Sequence, residues 1–394
     1  MSDKHTKTNG APTRRAYLMY GGTVAVGGFL AGCSAVSDDS STATDTPSEE
    51  TDSDESYTVS MEPMGPVEFE EPPERWLPYS EGYADMGVAL GQADGMLGIG
   101  QVGEYYTYFY DELPGVDIDR DRLAENELVA NEMSKELFYE LDADVHLIDT
   151  EMLKHWFDWN QDDIEEIRGN VAPFIGNLGF RRSDDWHDYR YYTMYEAFEK
   201  VAATFRERER YEAFADLHEE FISAIQAELP PASDRPSVLL TFEHNDEPEA
   251  FSPYRLNDKG TSKKQWRDVG VADALAGTDI ENISTTERTK LDYEGLLDVD
   301  PDVLLIRGHE RKSRSEFRET VLAYMKEHPV GSELEPVKGG RVYRGGPIKQ
   351  GPIQNLFLTE RAAKQAYPET FGDLSDDTEL FDRQRVANII NGDI

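Results

Sequence analysis

A single cysteine, Cys33, stands in 394 residues. A disulfide framework, a cysteine zinc site and a thiolate-held iron–sulfur cluster each need at least two thiols, so all three are excluded. Positive charge is scarce as well: 39 Lys and Arg face 79 Asp and Glu, a formal net charge of −40. A nucleic-acid backbone would meet repulsion and no basic footprint, so that partner is excluded too. Neither a Gly-x-Ser-x-Gly elbow nor a His-Glu-x-x-His run occurs. An exported hydrolase using His244 or His309 as base therefore has no motif behind it. No apolar run reaches the roughly 20 residues that a membrane-spanning helix requires.

What the chain has in abundance is acid, beside 38% hydrophobic and 11% aromatic residues. That apolar content is enough for a core, so the excess carboxylates belong on the surface. Such a surface is tolerated where salt screens it, the Debye length falling to about 3 Å at 1 M. The composition is that of a protein folded in concentrated salt. At about 150 residues per domain, the length allows roughly two domains with chain left over.

Residues 1–33 read as an export signal. Arg14 and Arg15 precede the apolar stretch Ala16 to Leu30, which is short and Gly-rich for a spanning helix and has the twin-arginine start of the Tat route. It ends in Leu30-Ala31-Gly32-Cys33, the pattern of a lipobox, at which the signal is cleaved and Cys33 takes a lipid. Residues 34–56 are a Ser/Thr/Asp/Glu tether whose charges repel and keep it extended. The folded body is expected on the extracellular face, anchored to the membrane and not spanning it.

That body repeats itself. Glu136 to Ile148 aligns without gaps on Glu294 to Ile306. In both, a Glu opens a two-turn amphipathic helix, an acidic turn with Asp144 or Asp302 follows, and an apolar strand closes the unit. Strand–helix alternation surrounds each copy, with strands expected near Gly95 to Ile99, Val171 to Ile175, Ser237 to Phe242 and Gly340 to Tyr343. This alternation argues for α/β lobes with parallel sheets and helices on both faces. The lobes take residues 57–190 and 230–371. Between them residues 191–229 contain no Gly or Pro and carry apolar positions at helical spacing, which predicts one long rigid helix of about 58 Å. A pair of helices broken near Arg208 is the alternative. Residues 372–394 form an extension with a small amphipathic helix laid on the second lobe.

This order of lipobox, tether, two lobes and connecting helix resembles the class III substrate-binding proteins of ABC importers, which take iron–siderophore complexes, haem and vitamin B12. The likeness runs from about Val67 to Phe371. It rests on Pro73-Glu74-Arg75, on Ala89-Leu90-Gly91 with Met96 to Ile99, on the two repeated units and on Gly339 to Tyr343. Leu141-Asp142-Ala143-Asp144 departs from the family's usual Pro-Asp. The resemblance implies two Rossmann-like lobes with a ligand cleft between them, and a carrier without a catalytic step or cofactor of its own. It implies capture of a metal chelate, a ferric siderophore first among them, for delivery to a permease dimer with its ATPase. Cobalamin or haem is the alternative cargo, and a ligand sensor without a permease the alternative role. Glu136 and Glu294, one per lobe, would dock a monomeric carrier on permease arginines, where charge-assisted bonds are directional.

In open α/β sheets a ligand lies outside the carboxyl ends of the strands. Those ends give Trp156, Arg181, Arg182 and Trp186 in the first lobe, and Arg307, His309 and Arg344 in the second; Tyr254 joins them from a long loop expected to fold over the ligand. Arginine forks suit carboxylate, catecholate or hydroxamate oxygens, and aromatic faces pack a planar ligand. His244 and His309 have no His-rich loop behind them, so a chelated metal is expected in place of a protein-ligated one.

Overall fold

The computed structural model describes residues 56–394 apart from 183, 258–259, 281–289 and 376. The export segment with Cys33, and the tether except its last residue, lie outside the described residues. Among the described residues no helix is long and apolar enough to cross a membrane.

The first lobe opens with the antiparallel pair β1 (Tyr57–Met61) and β2 (Gly65–Phe69). Its parallel sheet is built on β3 (Trp76–Pro78) and β4 (Val145–Leu147). The strands expected at Gly95 to Ile99 and Val171 to Ile175 contribute only parallel bridges there, Met96 to Trp76 and Phe174 to His146. Pro173 has no N–H to extend a ladder. The second lobe carries β5 (Ser237–Phe242), β6 (Ser252–Tyr254), β7 (Ala272–Asp273), β8 (Val303–Arg307) and β9 (Val342–Arg344). Their order is β6-β5-β8-β9, with β7 also paired to β5. Only β6 runs antiparallel, and every residue of β8 is buried, as a central parallel strand requires. The α/β architecture is the one the alternation implies.

The two repeated units are alike down to single hydrogen bonds. Helices Lys135–Leu141 and Tyr293–Val299 each have seven residues and end on an aspartate in the left-handed region, Asp142 and Asp300. Two residues on, Asp144 accepts from the backbone N–H of Glu74 and Arg75 at 3.0 and 2.8 Å, and Asp302 from that of Ser237 at 2.7 Å. In each lobe this carboxylate ties the entry of the leading strand to the turn before the next one. The backbone N–H groups that open each leading strand are thereby satisfied.

The connection is not one long helix. It is two, Met194–Phe205 and Arg208–Ala227, folded against each other through Tyr195 on Tyr211 and Phe198 on Phe214. Arg206 adopts φ +57°, and the N–H groups of Arg206 and Glu207 reach back to Ala203 and Ala202. This is a Schellman turn made without glycine. The left-handed backbone costs a non-glycine residue about 1–2 kcal/mol, and the Arg206 guanidinium, 4.3 Å over the Tyr57 ring, offsets part of it.

Each lobe has its own outer core, one around Phe138, Ile148 and Phe174, the other around Leu304, Ile306 and Phe317. A third, central core is continuous across both lobes, joining Trp76 and Val88 to Phe198, Leu240 and Leu356. At its centre Asp85, fully buried on the first-lobe helix Glu81–Ala89, accepts from the N–H groups of Ile353 and Gln354 at 2.8 and 3.2 Å. Those residues begin helix Pro352–Ala366, whose own N-cap is Gly351. A glycine has no side chain to cap with; a Cβ there would sit 2.6 Å from the Asp85 carboxylate. Asp85 thus caps from another element.

The extension ends in helix Arg383–Asn391, capped by Asp382. It does not rest on the second lobe alone. Arg385 pairs with Glu220 on the connecting helix, Phe381 meets both Phe221 and Phe357, and Asn391 donates to the Pro114 carbonyl in the first lobe. Its apolar face, Val386, Ala387, Ile389 and Ile390, enters the central core.

Candidate functional site

The lobes meet along a seam of polar contacts. Thr261 and Ser262 donate their N–H groups to the carbonyls of Gly179 and Phe180 at 3.0 and 3.1 Å, a backbone pairing between lobes. Arg311 donates to the Gly103 carbonyl at 2.8 Å, and Tyr108 to the Glu310 carboxylate at 2.7 Å. Lys349, on the loop after β9, pairs with buried Glu81 at 3.0 Å and lies 4.8 Å over the Tyr79 ring. Burial works against the Lys349 charge, but Glu81 and Tyr79 more than offset it and hold its pKa above the usual lysine value.

A cavity of about 260 Å³ lies in this seam. Its second-lobe wall is Phe242 and His244 at the end of β5, with Arg307, Gly308 and Arg311 at the end of β8; Glu104 and Tyr106 close it from the first lobe. The position is the one expected of a ligand in an open α/β sheet. Glu310 is also in the wall, 4% exposed, and Arg361 and Arg344 reach its carboxylate from behind at 2.5 and 3.9 Å. Burial alone would raise this carboxyl, yet the two guanidiniums and the Tyr108 hydroxyl hold it down at about 2. Glu310 is an ionised, compensated strut, which leaves Arg311 to supply positive charge at the mouth.

The structure places seven of the eight candidate ligand contacts in three groups and sets Arg182 apart. Arg307 lines the cavity, 1% exposed; its guanidinium donates to the Ser262 carbonyl and stacks 5.2 Å from the ring of Tyr254, which backs it. Trp156, Arg181 and Trp186 form an aromatic cluster on the first lobe. Trp156 packs edge-on against Tyr79, Phe180 and Trp186, and Arg181 lies 4.9 Å over its ring while pairing with Asp184. Trp186 also stacks on His155 at 4.9 Å and 12°. Tyr79 and Phe180 carry this cluster to a smaller, largely apolar cavity of about 40 Å³ beside the seam. That is water-sized, not ligand-sized. Arg182 turns away to cover Tyr191.

His309 and Arg344 do not reach the inter-lobe cavity. Gly308 takes φ +102°, and a Cβ there would lie 2.5 Å from the Glu243 carbonyl, so the chain must turn sharply after β8. The turn points His309 inward, 2% exposed and edge-on to Phe317. Burial lowers its pKa, so the imidazole is neutral. Arg344 instead donates to the carbonyls of Glu310 and Lys312. His244 does line the cavity, but its neighbour Glu243 is spent on the N–H groups of His244 and Asn245. Among the described residues no group of three or more His, Cys, Asp or Glu is arranged to hold a metal ion.

Glu136 and Glu294 are both exposed and both in the first turn of their helices, at matching places on the two lobes. The site residues not anticipated are Tyr108, Glu310 and Lys349. The run Gly345-Gly346-Pro347-Ile348-Lys349 carried the one available signal, a turn directly after a predicted strand end.

Residues 79–348 match the family described as periplasmic binding protein, more than half of the chain. Solved structures share the fold. The petrobactin-binding protein YclQ from Bacillus subtilis superposes with a TM-score of 0.56 at 15% identity, over 79% of this chain and 99% of its own. The iron uptake ABC transporter substrate-binding protein PiuA from Streptococcus pneumoniae gives 0.52 at 16%, over 78% and 98%. The siderophore-binding protein BauB, bound to two acinetobactin molecules and ferric iron, gives 0.53 at 15%, over 79% and 99%. No curated protein sequence matches the chain.

Proposed function

Because the chain belongs to the periplasmic binding protein family, whose members are carriers and not enzymes, we propose that it captures a metal chelate outside the cell and delivers it to an ABC permease. The observation that carries the reading is the cavity between the lobes at the ends of β5 and β8, with Arg307 and Arg311 beside Tyr106 and Phe242. Guanidinium forks and aromatic walls suit the anionic oxygens and organic arms of a ferric siderophore. The named cargoes of similar structures, petrobactin and ferric acinetobactin, support that choice. Haem or cobalamin is the second reading, favoured by the ring surface of His155, Trp156 and Trp186.

A drug-sized ligand occupies roughly 300–1,000 Å³, more than the 260 Å³ present. Loading therefore requires the Tyr108–Glu310 and Arg311–Gly103 contacts to part. The central core shared by both lobes keeps that opening small. Twin arginines Arg14 and Arg15 would send the folded chain through the Tat route, a lipid on Cys33 would anchor it, and concentrated salt would screen its −40 charge. Glu136 and Glu294 would seat it on a permease dimer that works with its ATPase, as a monomer.

Tryptophan fluorescence tests the reading. In molar salt, one class among ferric hydroxamates, ferric catecholates, haem and cobalamin should quench saturably. No saturable response to any of the four would refute the chelate proposal.

A further inference from the structure

Arg344, Arg361 and Tyr108, the partners of Glu310, face a second cavity of about 560 Å³. Its described lining carries six basic side chains, Arg314, Arg318, Arg344, Arg361, Lys364 and Arg383, against the four carboxylates of Glu112, Glu360, Asp377 and Glu379. In a chain with 79 acidic and 39 basic residues, this reverses the overall balance.

Four of the six bases have structural partners: Arg344 and Arg361 hold Glu310, while Lys364 and Arg383 hold Glu360. Arg314 and Arg318 stand four residues apart, on one face of the helical segment 314–327. Neither guanidinium makes a hydrogen bond or ion pair with a described residue, and that of Arg314 acts on Asp373 only through space. A third polar group is unmatched: Gln365, 2% exposed, lines the cavity with an amide oxygen that receives no hydrogen bond. A buried acceptor without a donor is destabilising, and a bound donor would relieve it. Phe109, Phe317 and Phe357 close the apolar side.

We infer that this cavity binds a small hydroxylated polycarboxylate, with two carboxylates on Arg314 and Arg318 and the hydroxyl donating to Gln365 Oε1. Two cations set about one helical turn apart suit two acid groups on one short skeleton. A carbon skeleton lies against the phenyl rings without desolvation cost. The site is distinct from the inter-lobe cavity and does not depend on what that cavity carries.

Calorimetric titration of the full chain with citrate, at constant ionic strength, tests this. One saturable site is expected. Arg314→Gln with Arg318→Gln should weaken it at least tenfold while leaving the unfolding midpoint in place, because neither guanidinium pairs with a described residue. Tricarballylate, which lacks the hydroxyl, should bind the unmodified chain more weakly than citrate. The inference is overturned if citrate shows no saturable binding, if the double variant binds it as well as the parent, or if Arg311→Gln, on the inter-lobe cavity, abolishes it instead.

Discussion

Replacing Asp85 by Asn should make the protein less sensitive to pH without breaking the joint between its lobes. The carboxylate is fully buried and accepts three hydrogen bonds, from Ile353 N–H, Gln354 N–H and, at 2.7 Å, the Tyr110 hydroxyl. Burial outweighs those bonds and raises its pKa from 3.8 to about 7. A raised folded-state value means that folding takes up a proton between those two limits. The stability so gained is complete below about 4 and is lost as pH rises through about 7, at 1.36 kcal/mol per pH unit, or about 4 kcal/mol in all. Asn at this position keeps an oxygen for the two backbone N–H groups and offers its amide to the Tyr110 oxygen, so the cap survives and the titration vanishes. Denaturant unfolding at pH 5 and pH 7 should show the parent losing about 2–3 kcal/mol relative to the Asn variant. Asp85→Ala, which leaves two buried N–H groups unpaired, should cost about 2–5 kcal/mol at pH 5. If the parent and Asp85→Asn lose stability in parallel between pH 5 and 7, the buried carboxyl does not titrate there and the reasoning fails.

Other expectations concern single contacts. Glu310→Gln should destabilise by about 3–5 kcal/mol, because it leaves the buried Arg361 charge uncompensated; an unchanged unfolding midpoint would contradict the strut assignment. For the parent, a carboxyl held at about 2 adds stability above its ordinary 4.5 that fades as pH falls toward 2. Arg206→Gly should be about 1 kcal/mol more stable than Arg206→Ala, since both lose the Tyr57 contact and only alanine keeps the left-handed strain. Glu136→Ala with Glu294→Ala should abolish uptake in cells while cargo affinity stays the same; normal uptake by the double variant would remove the docking role.

The parts of the fold that could be read in the sequence are those set by spacing. Eight residues from Glu to Asp fix a short helix, a turn and a strand, and the structure repeats that unit down to the Asp144 and Asp302 hydrogen bonds. The break at Arg206 stood only as the alternative to one long helix because its left-handed residue is an arginine, and glycine or asparagine is what advertises such a turn. For the site, strand ends indicate which loop faces a ligand but not where a side chain goes after the chain bends. Arg307, the last residue of β8, is therefore in the cavity wall, whereas His309 is swept inward past Gly308. Tyr108 and Glu310 were illegible for a different reason: they meet 202 residues apart, across two lobes.

The twin carboxylate ties also set how the outer surface moves. Asp144 and Asp302 bind each short helix to the leading strand of its own sheet, so Glu136 and Glu294 each travel as fixed points of one lobe. Any change of angle between the lobes becomes a change in the span between these two carboxylates. The pair forms a caliper whose jaws report the state of the cleft, legible from outside by whatever grips both points at once.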